Sequence, residues 1–124
     1  MKIRAGFVSN SSSSSFVAVV KKIIFQNIEN SKYDVFVECD GGEGMSFFKL
    51  PKEIYDYLKK EQPKQMVGLR FYQVVIAKDD GDTISMKELK NVPDDFVIYG
   101  GERDYNDPET VEDFKLYALG MEEE

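Results

Sequence analysis

The chain has 124 residues, with 23 acidic against 16 basic side chains for a net charge of −7, one cysteine, no histidine and no tryptophan. That length suits a single domain, and a composition of 42% hydrophobic and 31% charged residues is that of a chain that folds. One cysteine can neither close an intramolecular disulfide nor furnish a structural zinc site, and without histidine there is no Ser-His-Asp or Cys-His pair and no imidazole base or metal ligand.

The longest apolar-rich run, Phe16 to Phe25, is broken by Lys21 and Lys22 and falls short of the roughly 18 to 20 residues that a membrane helix needs. Lys2 and Arg4 are followed by polar serines where a secretory peptide would carry its apolar region, so the expectation is a cytoplasmic protein. Charge is uneven. Residues 1–78 carry 12 basic and 8 acidic side chains, and residues 79–124 carry 4 and 15. A second half at −11 disfavours nucleic acid as a partner, because duplex binding rests on cations that neutralise phosphates.

Residues 9–15 read Ser-Asn-Ser-Ser-Ser-Ser-Ser, small polar side chains that compete with the backbone for hydrogen bonds and predict an exposed leader or loop over residues 1–15. Phe7-Val8 and Phe16-Val17 on either side could anchor that loop in a core. A domain over residues 16–124 follows. Phe16 to Gln26, rich in Val and Ile, predicts a strand with a bulge near Lys21-Lys22. After turn residues 27–32, Tyr33, Val35, Val37 and Cys39 alternate with Asp34, Phe36 and Glu38, as in a strand with one buried face. Cys39 on the apolar face reads as a buried, slow-reacting thiol. Asp40 to Gly44 is a turn, and Met45 to Leu50 is the return strand of a hairpin.

Ile54, Tyr57 and Leu58 recur at helical spacing, giving an amphipathic helix over Pro51 to Glu61. Leu69 to Ala77 is nearly continuous in apolar residues and predicts a central strand covered on both faces. Ser85-Met-Lys-Glu88 is a capping box for a short helix, and Phe96 to Tyr99 is a last strand closed by Gly100-Gly101. Asp107-Pro108-Glu109 reads as the start of a final helix that Gly120 ends. The fold class expected is α+β, a single mixed or antiparallel sheet with helices packed on one face.

The segment Gly6-Phe-Val-Ser-Asn-Ser-Ser-Ser-Ser-Ser-Phe16, with Met1 to Ala5 before it, resembles a leader found at the start of many otherwise dissimilar small proteins of tailed bacteriophages and bacteria. The resemblance covers 16 residues and implies a phage or prophage-type accessory protein working in the bacterial host. It assigns no catalytic or binding residue.

Lys78 to Glu88 looks like a Ca²⁺-binding EF-hand loop. Set against that pattern, with Glu88 as its last ligand, the first ligand position falls on Ala77 and the position that needs glycine on Asp82. A strand-to-helix turn with a capping box accounts for the same residues. If a cation binds, Asp79, Asp80 and Asp82 are the oxygen donors to test, as the basis of a metal-dependent enzyme. Acidic neighbours of Cys39 disfavour a reactive thiolate. Lys52, Lys59, Lys60 and Lys64 beside Tyr55 and Tyr57 could be a single-strand binding strip, but Glu53, Asp56 and Glu61 dilute its field. In the last helix Val111, Phe114, Tyr117 and Ala118 form one apolar face, while Leu116, Leu119 and Met121 extend beyond what one core contact needs. These three are the candidate partner-binding residues, toward a host or phage protein or a weak homo-oligomer. The sequence thus reads first as a non-catalytic interaction protein without cofactor, and next as the metal-dependent enzyme or an acidic protein that binds a basic host surface.

Overall fold

The computed structural model describes residues 2–4, 13–41, 44–61, 68–104 and 107–118. Its strands are β1 (Lys2–Arg4), β2 (Ser13–Ile23), β3 (Asp34–Gly41), β4 (Gly44–Lys49), β5 (Leu69–Asp79), β6 (Thr83–Ser85) and β7 (Val97–Asp104), and its α-helices are α1 (Lys52–Glu61), α2 (Met86–Leu89) and α3 (Val111–Tyr117). A 3-10 helix over Phe25–Asn30 links β2 to β3. β4, β3, β5, β2 and β7 form, in that order, an antiparallel sheet, while β1 and β6 make a separate antiparallel ribbon. The fold is α+β, as the alternation of strand and helix patterns predicts.

β5 takes the middle of the sheet, where its apolar run is covered on both faces. Ile54 and Leu58 of α1 and Phe114 of α3 are fully buried against Val35, Val37, Cys39, Phe48 and Phe71, which makes one core under the helices. Ile84 of β6 packs with Val17 and Val19 of β2 in a smaller cluster of its own. The opposite face closes on itself. The sheet curls until edge strands β4 and β7 come within 8 Å between Cα atoms, and Arg103 Nη1 donates to the Phe47 carbonyl at 2.6 Å across the gap. Phe16, Ala18, Val20, Phe47, Tyr72 and Val74 fill the inside of the curl.

The first long strand begins earlier than the serine composition suggests. Ser13, Ser14 and Ser15 pair with Asp104, Arg103 and Glu102, and Ser14 and Ser15 are buried. Backbone pairing with β7 outweighs the poor β-propensity of serine, and the small side chains fit a crowded sheet. The irregularity of β2 lies not at Lys21-Lys22 but between Val19 and Val20, where partner Val75 is the extra residue of a bulge in β5. Likewise β7 runs through Gly100-Gly101 to Asp104, because Val17 and Phe16 of β2 pair with those glycines. The last helix starts at a Thr110 cap, whose Oγ1 accepts from the Asp113 N–H at 3.1 Å, since the Asp107 carboxylate is taken by Arg103 Nη2 at 2.7 Å. Gly120 lies outside the described residues.

Candidate functional site

On β3, Glu38 falls opposite Phe47 and next to Arg70 in the pairing with β5, so the curl carries its carboxylate inside. Its side chain is 1% exposed. Isolated there, the charge would cost several kcal/mol, and three donors compensate it. Arg70 Nε donates to Oε1 at 2.6 Å, the Tyr72 hydroxyl to the same oxygen at 3.4 Å, and the Tyr99 hydroxyl to Oε2. The two phenol rings stack with centroids 5.1 Å apart, and Phe47 lies 5.9 Å from Tyr72 and 4.7 Å from Phe16. Burial pushes the Tyr99 phenol up strongly, helped by its bond to Glu38, and burial likewise raises Tyr72. An acceptor already surrounded by donors and enclosed by rings presents no open position to a substrate. Its chemistry is that of a core pin tying β3 to β5 and β7.

The alternation along residues 33–39 placed Glu38 on an outward face, and Phe36 on that same face was the one signal that it is lined with apolar groups. Cys39, on the other face, is completely buried as that alternation predicts.

Asp79, Asp80 and Asp82 lie at the end of β5 and in the turn to β6, which Gly81 makes with a φ of 87°. The Asp82 N–H donates to the Asp79 carbonyl at 3.0 Å, and Asp80 Oδ1 accepts from the Ser15 hydroxyl at 3.0 Å. Glu88 turns away into the capping box, accepting from the Ser85 N–H at 3.1 Å, and meets Lys78 at 3.4 Å. That backbone bond, more than the neighbouring Lys78, holds its carboxyl below the usual range. Among the described residues no three His, Cys, Asp or Glu side chains are gathered as a cation shell requires.

What the surface offers instead is apolar. Leu116 on α3 is 41% exposed, pointing away from the core that Phe114 enters, so of the three helix candidates it is accessible; Leu119 and Met121 lie outside the described residues. Lys115 on the same helix places its ammonium 5.0 Å from the Tyr57 ring centroid. Sequence reasoning passed over Val97 and Ile98, exposed by 61% and 52%. They open β7, an edge strand whose outer side pairs with no strand among the described residues. Their β-branched side chains alone read as core, and only the sheet order reveals them as rim. A groove of about 380 Å³ lies elsewhere, at the end of the β2–β5 pair, lined by exposed Ile24, half-buried Phe25 and the core residues Leu69 and Phe71, with Lys22 and Arg70 beside them. Among the described residues no helix is long and apolar enough to cross a membrane. No protein family, curated protein or solved structure matches the chain.

Proposed function

We propose that this is a small non-catalytic accessory protein of phage or prophage type, acting in the bacterial cytoplasm by binding a host or phage protein. The observation that carries the reading is the exposed apolar pair Val97 and Ile98 at the edge of the sheet, with Leu116 as a further apolar contact on α3. Soluble proteins normally blunt sheet edges with charge or proline, and an edge left apolar is a ready template for another chain. The phage context comes from the leader through Phe16 and from nothing else in the chain. Asp80 of the turn is bonded to Ser15, and Asp79, Asp80 and Asp82 are not gathered with one another as a cation shell requires, which is why the metal-dependent alternative ranks below.

Affinity capture from bacterial lysate with the full chain, followed by identification of the retained proteins, tests this. A defined protein should be held by the parent chain and lost from Ile98→Lys or Leu116→Glu, both at exposed positions where the fold tolerates charge. Retention of the same proteins by the parent and both variants would overturn the reading.

A further inference from the structure

We infer that β7 binds by accepting an added antiparallel strand along Val97 to Gly101, from a partner segment that is apolar at its centre and basic at both ends. The inference rests on the interaction reading above and names its partner class.

Successive residues of a strand face opposite sides of the sheet, so the exposure of both Val97 and Ile98 leaves the start of this stretch uncovered on its two faces as well as along its outer edge, while Tyr99 beyond them turns its ring into the curl. β4 closes on the other half of the strand, where Arg103 reaches the Phe47 carbonyl. The stretch Val97-Ile-Tyr-Gly-Gly101 holds no charge and no proline, the two devices that usually protect an edge. Gly100 and Gly101 also lack the side chains that would keep another backbone at a distance.

The ends of the stretch decide what docks. Exposed Asp94 and Asp95 precede it and Glu102 follows it, on the face that carries Ile98. Asp95 is bonded to Lys21, while no cation is within salt-bridge distance of Asp94 or Glu102 among the described residues. A second copy paired antiparallel about Ile98 would set Asp94 against Glu102, and like charges directly opposite are destabilising. Copies at −7 each also repel at long range. A foreign strand with an apolar residue against Ile98 and Lys or Arg near Asp94 and Glu102 satisfies both the edge and the charges.

The probe is a synthetic peptide, acetyl-Lys-Lys-Val-Thr-Val-Thr-Val-Lys-Lys-amide, titrated into the isotope-labelled full chain and followed by backbone amide NMR. Shift changes and slowed amide exchange should concentrate on Val97 to Gly101. Binding should weaken severalfold when ionic strength rises from about 0.05 to about 0.3 M, as screening shortens. The same peptide with Glu in place of each Lys should not bind, and Ile98→Lys should abolish binding while keeping the parent spectrum elsewhere. Equal binding of both peptides, shifts centred on Leu116 or on the Ile24 groove, absence of binding, or concentration-dependent β7 pairing between copies would each overturn the inference. Capture of a protein that depends on Leu116 and not on Ile98 would leave the interaction reading standing and remove this one alone.

Discussion

A carboxylate sealed inside an aromatic core survives only because its donors are sealed in with it, and Glu38 is the side chain on which the inside of the curled sheet depends. Replacing it by Ala leaves the Tyr72 and Tyr99 hydroxyls without an acceptor and opens a void between strands. Half-exposed Arg70 can turn toward water and recover part of the loss. Glu38→Ala should therefore cost about 3 kcal/mol, at the low end for breaking a buried pair, read as a lower urea midpoint at unchanged slope. Glu38→Gln, which keeps the volume and one acceptor, should cost less, and an Ala variant as stable as the parent would refute the pin. The same network sets an alkaline limit. Burial raises the Tyr99 phenol above its ordinary value of 10.0, so the folded state holds this proton more tightly than the unfolded chain. Its contribution to stability is complete below pH 10.0 and is lost as pH rises toward the folded value. Phenolate absorbance of Tyr99 should thus develop together with loss of near-ultraviolet dichroism, and titration of every tyrosine near its ordinary value with the fold intact would contradict it. Cys39, fully buried under α1, should react with a thiol reagent far more slowly in the native protein than in denaturant.

The turn between β5 and α2 was the most legible element, since Ser85 and Glu88 sit at the spacing a capping box requires and both of its bonds form. Ser85→Ala should cost about 1 kcal/mol in thermal unfolding. The same engagement of Glu88, with Asp80 on Ser15, leads to the expectation that calorimetry finds no Ca²⁺ or Mg²⁺ dissociation constant below about 10⁻⁵ M. A tighter constant would revive the metal-dependent enzyme. Local signals of this kind gave the apolar stripe of α1, the hairpin of β3 and β4 and the apolar run of β5 almost residue for residue. Elements held by distant partners were not legible. Gly100-Gly101 reads as a strand end until β2 is known to lie alongside, and Ser13 to Ser15 read as loop because the residues they pair with come some 90 positions later. β1 and β6 are three residues each, too short for any period to register. The exposed edge at Val97 and Ile98 has the composition of a core strand, so nothing but the strand order could mark it as a surface.

At the scale of the molecule, the charge split of the sequence does not become two separate halves. β7, from the acidic second half, pairs with β2 from the basic first half, and Lys21 meets Asp95 while Lys78 meets Glu88 across that division. One sheet also serves as the wall of both cores, since β2, β3, β4 and β5 send alternate side chains to the helices and into the curl. Removing a group from either side loosens strands that the other side needs, so the two cores should melt as one cooperative unit. Ile54→Ala, beneath α1, and Phe47→Ala, within the curl, should each lower stability by about 2 to 5 kcal/mol. In each variant the helix signal in far-ultraviolet dichroism and the tyrosine signal in the near-ultraviolet should fall at the same denaturant concentration. If Phe47→Ala moved the tyrosine transition and left the helix transition in place, the curl would be an independently melting layer. β7 and its open edge would then belong to the less stable part of the molecule, and strand addition there would begin from a partly opened sheet instead of a fixed one.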